Sequence, residues 1–172
     1  MKQIWMLCMS FIFCGALFGQ PAQMSLSEKV KVTFPGTPDS MTIENGAKMF
    51  LYKKDSTKKI LSSVSIDLAG YGLSAEMVAS MGDGLWDQIK SPMLAQMGSV
   101  DIIKDEIIQF KGKSCLKVEL DISKANSSNV KGKKMYMLCF FVGSVLNQLN
   151  YATSTDNSKE DAEAFFNTLS VE

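Results

Sequence analysis

Eight consecutive apolar or aromatic residues, MYMLCFFV at positions 135–142, constrain the fold more than any other part of the chain. Successive side chains of a β-strand point to opposite faces of the sheet, so both faces of this segment carry apolar groups. A sheet that contains such a strand needs cover on both sides. We therefore expect an internal strand, in a sheet that lies between two further layers.

Alternation of apolar and polar residues predicts further strands. Val30, Val32 and Phe34 alternate with polar neighbours, which is typical of a half-buried strand. Asn45 and Gly46 favour a hairpin turn, because both residues tolerate a positive φ. The predicted strands are residues 30–34, 41–44, 48–53, 60–68, 100–110, 114–122, 133–142 and 147–153.

The pattern changes to a helical period in the middle of the chain. Apolar residues recur at every fourth position over 73–97, which predicts an amphipathic helix over about 75–90 and a short second piece to 97. Ser74 is a suitable N-cap. Gly82 weakens the middle of this helix, and Pro92 is expected to kink or end it.

A second helix closes the chain, with Asn157 or Ser158 as its cap. Its apolar stripe consists of Ala162, Phe165, Phe166 and Leu169. Two amphipathic helices are enough to cover a sheet, so the sequence predicts an α+β fold: a mostly antiparallel sheet packed by the mid-chain helix and the C-terminal helix.

The N-terminus has the pattern of a secretory signal peptide. Lys2 precedes an uncharged run over residues 4–18, which is short for a membrane span. Cleavage after Gly19 is expected, with cleavage after Ala22 and an uncleaved anchor as alternatives. No later stretch approaches the length of a membrane span. The predicted divisions are 1–19 as signal peptide, 20–28 as a flexible segment and 29–172 as a single domain, exported to the periplasm of a bacterium or secreted.

Two residue types are missing, and their absence excludes several kinds of site. The chain has no His, and all 18 of its basic residues are Lys, so it has no Arg. Histidine-based triads, histidine zinc sites and guanidinium forks are impossible. A formal net charge of zero argues against binding to nucleic acid. We found no motif for a metal, a nucleotide or another cofactor, and we expect no catalytic residues.

Two cysteines remain after the signal peptide, Cys115 and Cys139. A hairpin centred on residue 127 would place them opposite each other on neighbouring strands, which favours a disulfide in an exported protein. The alternative is two reduced, buried cysteines that pack as small apolar side chains.

Methionines form a stripe on the predicted mid-chain helix: Met77, Met81, Met93 and Met97. Flexible thioether side chains suit an adaptable docking face for an apolar partner. The alternative is that the stripe packs against the sheet as part of the core. Lysines around residues 53–59 are interpreted as a solvated hairpin tip, with contact to an anionic partner as the alternative.

The order of these elements resembles the PsbP-like superfamily, which includes extrinsic photosystem subunits, a yeast Ran-binding relative and small exported bacterial proteins of unknown role. The resemblance spans residues 29–170 and depends on FPGTP at 34–38, on Lys111-Gly112-Lys113 and on DAEAFFNTL at 161–169. It implies an α/β/α sandwich built on an antiparallel sheet. It also implies a mostly non-enzymatic function, such as docking to other proteins.

No ligand or metal residue carries over from this family, because the metal-binding histidines of some photosystem members have no counterpart here. We therefore expect an exported, non-catalytic domain that binds or supports another envelope or extracellular component, an unidentified protein. The alternative is a carrier that holds a small apolar ligand between the sheet and a helix.

Overall fold

The structure is a computed structural model that describes residues 20–43, 46–54, 58–95, 97–124, 133–155 and 158–172. The predicted signal peptide, Asn45 of the predicted hairpin turn and Asn157 of the predicted helix cap lie outside the described residues. Within the described ranges, no helix has both the length and the apolarity that a bilayer span requires.

The described residues form ten strands and three α-helices. They are β1 (Ala22–Ser27), β2 (Val30–Phe34), β3 (Asp39–Thr42), β4 (Lys48–Lys54), β5 (Lys59–Asp67), α1 (Ala75–Met81), α2 (Gly84–Ala95), β6 (Asp101–Phe110), β7 (Lys113–Asp121), β8 (Lys134–Val142), β9 (Val145–Thr153), α3 (Lys159–Asn167) and β10 (Ser170–Val171). The predicted strands are confirmed to within two residues at each end.

Seven strands form an antiparallel sheet, which we call the large sheet. Its order is β3-β4-β5-β9-β8-β7-β6, so β3 and β6 are its two edges. Strand β8 lies inside this sheet, and its side chains from Tyr136 to Phe141 are all buried. The expectation of an internal strand with cover on both faces is confirmed.

A second sheet of three strands, β1-β2-β10, packs against the large sheet, and we call it the small sheet. Its first strand falls within residues 20–28, so the prediction of a flexible segment there is wrong for Ala22–Ser27. Strand β1 pairs antiparallel with β2, and Leu26 is buried. The sequence pattern missed β1 because only one of its side chains is fully buried.

The two faces of the large sheet carry separate apolar cores. On one face, α3 and the small sheet cover the core through side chains such as Phe34 and Phe166. On the other face, α2 contributes Trp86 and Leu94, while α1 packs there with partly buried side chains. The molecule is therefore an α+β sandwich with helices on both sides of an antiparallel sheet, as predicted.

The mid-chain helix breaks at Gly82. Ser74 caps its first piece as predicted, since the Ser74 hydroxyl accepts a hydrogen bond from the Met77 N–H at 3.3 Å. Gly82 has φ 52° and ψ −135°, a conformation that is open to glycine and strained for other residues. Of the two outcomes expected at Pro92, a kink or an end of the helix, the end does not occur, because α2 continues through this residue. Pro92 and Gln88 are both exposed, so water can bond the carbonyl that loses its helical partner.

Helix α3 begins after Ser158, which occupies the N-cap position. The Ser158 side chain does not cap the helix, contrary to prediction, because its hydroxyl donates to the Tyr136 hydroxyl at 3.1 Å. Glu160 and Asp161 lie in the first turn, where negative charge interacts favourably with the helix dipole.

The predicted disulfide is wrong. Strands β7 and β8 pair with Leu116 opposite Cys139 and Cys115 opposite Phe140, one residue away from the predicted register. A shift of one residue turns a side chain to the other face of the sheet. Cys115 therefore lies in the core under α3, Cys139 lies in the core under α2, and both are free and buried, as the alternative expected.

Lys111 connects the β6–β7 hairpin to the end of α3. Lys111 and Gly112 have φ values of 50° and 74°, which form the tight turn between the two strands. The Lys111 ammonium donates to the carbonyl of Asn167 at 2.9 Å and to that of Leu169. A cation at this position satisfies carbonyls that the helix leaves without partners.

Replacing Lys111 with Met should lower the free energy of unfolding by about 1 kcal/mol, because the α3 carbonyls lose a charged donor. For a domain of this size, the melting temperature should fall by roughly 2–4 °C. Lys58→Met is the matched control, since Lys58 also has a positive φ, 51°, in a turn between two strands. Equal melting temperatures for the two variants would contradict this capping role.

Candidate functional site

A cavity of about 370 Å³ lies between the large sheet, the small sheet and α3, and we call it the α3 cavity. Its walls are mainly apolar, with Phe34 from β2, Leu61 from β5 and Phe165 from α3. The volume falls in the lower part of the range of small-molecule sites.

Strand register builds the floor of the cavity. Leu61 of β5 pairs directly with Tyr151 of β9, so their side chains lie side by side. Lys59 is two residues before Leu61 and therefore projects from the same face of the sheet.

One face of α3 forms the roof. Asp161, Ala164, Phe165 and Thr168 all line the cavity, and their spacing of three, four and seven residues places them on one side of a helix. Phe165 packs against Phe34 with ring centroids 5.4 Å apart. Ala164 is exposed, so it lies at the cavity mouth.

The polar groups of the cavity form a cluster at the N-terminal end of α3. The Lys59 ammonium forms an ion pair with Asp161 Oδ2, and the Tyr151 hydroxyl donates to the same oxygen at 3.0 Å. The side chains of Lys59 and Asp161 are 30% and 44% exposed, so the pair lies at the edge of the cavity and contacts water.

These contacts shift the pKa values of Asp161 and Tyr151 in opposite directions. The hydrogen bond from Lys59 lowers the pKa of Asp161, and the bond from Tyr151 acts in the same sense. Burial raises the pKa of Tyr151, and the neighbouring Asp161 carboxylate raises it further. At neutral pH Asp161 is therefore a carboxylate and Tyr151 is a neutral phenol.

The opposite end of the cavity is held by two threonines. The Thr168 hydroxyl donates to the Thr33 carbonyl at 3.0 Å and accepts from the Thr33 N–H at 3.2 Å. Asp161 and Thr168 are seven residues apart, which is about 10 Å along a helix. An apolar space of about this length separates the two polar ends.

The predicted disulfide between Cys115 and Cys139 does not form, and burial makes both thiols unreactive. Burial raises the pKa of Cys115 to about 11 and also raises that of Cys139. Across the described ranges, no group of three or more potential metal-ligating side chains comes together.

The methionine stripe divides between two environments. Met77 is 46% exposed on α1. Met81, Met93 and Met97 are partly buried against the core under α2, where Met93 Sδ lies 3.9 Å from Cys139 Sγ. The core interpretation is thus favoured for these three residues.

Sequence reasoning did not find the α3 cavity. The sequence pattern places Lys59 in a solvated lysine cluster and Asp161 in a family motif, and nothing in the sequence joins them. The helical spacing of Asp161, Ala164 and Thr168 was visible, but it shows only that they share a face. Their meeting with Lys59 and Tyr151 depends on how α3 packs on the sheet.

Replacing Asp161 with Asn should destabilise the protein at pH 7 by about 1 kcal/mol or less, the magnitude for a partly exposed ion pair. The pKa of Asp161 is lower in the folded state than in the unfolded state, so its carboxylate stabilises the folded state at pH values above the unfolded-state pKa. This stabilisation is lost as the pH falls through the folded-state pKa. The difference from the unmodified protein should therefore shrink in acid. Urea unfolding at pH 7 and near pH 3 measures it.

Asp39→Asn, on the exposed edge strand β3, is the control for this experiment and should show little change at either pH. A difference for Asp161→Asn that stays constant down to pH 3 would show that the ion pair is not its source.

No protein-family model matches the chain, and no curated protein sequence matches it. Solved structures do match. The cyanobacterial PsbP protein CyanoP from Synechocystis sp. PCC 6803 aligns with a TM-score of 0.57 and 11% identity, over 92% of this chain and 96% of that one.

Two further structures are more distant. One is a protein from Bacteroides thetaiotaomicron VPI-5482, with a TM-score of 0.41, 14% identity and coverage of 91% of this chain and 49% of that one. The other is PA94 from Pseudomonas aeruginosa, a protein of unknown function, with a TM-score of 0.45, 11% identity and coverage of 87% and 93%. The similarity to CyanoP shows that this chain has a PsbP-like fold.

Proposed function

We propose that the protein is an exported, non-catalytic binding domain and that the α3 cavity holds a small molecule with an apolar body. The observation that carries the proposal is the cavity itself, which is walled by Phe34, Leu61 and Phe165 and has polar groups at its two ends. Small-molecule sites commonly combine apolar walls with a few placed polar groups.

The pKa values of the side chains in the cavity favour a binding role over a catalytic one. A general acid or base works best with a pKa near the ambient pH. The pKa of Asp161 is lowered by Lys59, and that of Tyr151 is raised by burial, so both move away from neutrality. The two thiols are held protonated by burial.

Export is supported by the uncharged run over residues 4–18, and the fold favours cleavage after Gly19. Pro21 lines the α3 cavity, and Ala22 pairs with Phe34 in the small sheet. Cleavage after Ala22 would remove both residues. A mature chain that starts at Gln20 keeps them.

Native mass spectrometry of protein purified from the exported fraction tests this proposal. The expected species is a chain that begins at Gln20 and carries the added mass of one small molecule. Ala164→Trp should lower the occupancy at least about tenfold, because an indole at the mouth fills the space of the ligand. Ala79→Trp, at an exposed position of α1, should leave the occupancy unchanged.

Two results would contradict the proposal. One is unmodified protein that retains no added mass and takes up no apolar molecule when one is supplied. The other is an added mass that Ala164→Trp and Ala79→Trp retain equally, since the ligand would then lie outside the α3 cavity.

A second candidate function is docking to another envelope or extracellular protein, and the edge strand β6 favours it. Ile102, Ile103 and Ile107 are exposed by 47%, 50% and 43%. An edge strand presents backbone groups to which an extended segment of a partner can add, while side chains such as these give specificity. The partner proposed for this surface is therefore a protein that contributes a strand.

Ile107→Lys tests the docking role, because a charge on the apolar edge should lower affinity for such a partner at least about tenfold. Met41→Lys is the matched control, since Met41 is 43% exposed on the opposite edge strand β3. Cross-linking in the envelope fraction should yield a complex that Ile107→Lys loses and Met41→Lys keeps. Equal yields from both variants would exclude β6 as the docking edge.

A further inference from the structure

We infer that the α3 cavity selects an uncharged molecule, with a hydroxyl or amide head group and an apolar body, and that the Lys59–Asp161 ion pair sets this selectivity. The inference rests on the proposed function, since it assumes that the cavity binds a small molecule. It adds the chemical class of that molecule and the residues that determine it.

Charge balance is the first argument. Among the described residues, Lys59 and Asp161 are the two ionised side chains that line the cavity, and they form an ion pair with each other. A charged ligand would leave water for an apolar site whose local charge sums to zero. Its desolvation would not be offset by an unpaired opposite charge. An uncharged ligand avoids this cost.

Hydrogen-bonding capacity is the second argument. Lys59 and Tyr151 both donate to Oδ2 of Asp161. An ammonium has three donors and a carboxylate has two acceptor oxygens, so the ion pair can still donate to a ligand and accept from one. A head group that both donates and accepts, such as a hydroxyl or an amide, matches this pair without separating it.

The shape of the cavity is the third argument. The Thr168 hydroxyl at the far end already bonds the β2 backbone and the Phe165 carbonyl, so the polar cluster at Asp161 is the better-placed partner for a head group. Between the two ends lie the rings of Phe34 and Phe165, in a space about 10 Å long. An apolar body that contains rings suits these walls.

Two fluorescent probes that differ mainly in charge provide the test. N-phenyl-1-naphthylamine is uncharged, and 8-anilino-1-naphthalenesulfonate has the same rings with an added sulfonate. Fluorescence titration of the mature protein at pH 7 gives the two dissociation constants and their ratio. The uncharged probe should bind at least about tenfold more tightly, and Ala164→Trp should abolish binding of both probes.

Substitutions in the ion pair should then change the ratio in opposite directions. Asp161→Asn leaves the Lys59 charge without its partner, so the ratio of the two dissociation constants should shift about tenfold in favour of the sulfonate. Lys59→Met leaves the Asp161 charge alone, so the sulfonate should bind more weakly. The double variant restores a net charge of zero and should regain the original ratio. Melting temperatures confirm that each variant is folded.

The outcomes separate the two proposals. If neither probe binds the unmodified protein, or if Ala164→Trp leaves binding unchanged, the proposed function of the cavity is wrong. If Ala164→Trp abolishes binding but the ratio is the same in Asp161→Asn, Lys59→Met and the unmodified protein, the cavity binds small molecules and the inferred charge selectivity is wrong. Opposite shifts in the two single variants, with recovery in the double variant, support the inference.

Discussion

Strand β8 buries six consecutive side chains, and each layer of the molecule follows from this burial. Tyr136, Leu138 and Phe140 enter the core under α3, while the residues between them enter the core under α2. Each large apolar side chain gains about 1.5–3 kcal/mol on burial, so loss of the cover on either face of β8 would be strongly destabilising. Neither helix layer can be removed without exposing half of this strand.

The position of the α3 cavity is a consequence of how α3 is held on that sheet. Asp161 binds Lys59 near the start of the helix, and Thr168 binds the backbone of β2 at its end. Lys111 fixes the last carbonyls from the β6–β7 hairpin. The helix is thus fixed at both ends, and Ala164 and Phe165 lie over the space between them. The small side chain of Ala164 leaves the mouth of the cavity open.

Periodicity in the sequence predicted the strands, the helices and the two-sided cover of the sheet, because burial acts on local patterns. It failed where a single residue decides the outcome. Cys115 and Cys139 are on neighbouring strands as expected, but a register one residue away puts them on opposite faces. The cluster of Lys59, Tyr151 and Asp161 was also beyond prediction, because its members are distant in sequence and meet only through the packing of α3. The continuation of α2 through Pro92 depends on the exposure of Gln88, which periodicity does not reveal.

The pairing of β10 with β2 has a kinetic consequence. Ser170 and Val171 pair with Lys31 and Val30, and the Glu172 N–H donates to the Lys29 carbonyl at 2.9 Å. These contacts join segments about 140 residues apart, a separation that slows folding because a large loop must close first. The small sheet, which carries Phe34 of the cavity wall, reaches three strands only after the ribosome has added the last residues of this segment. Folding of the small sheet is therefore completed only after synthesis has passed Val171.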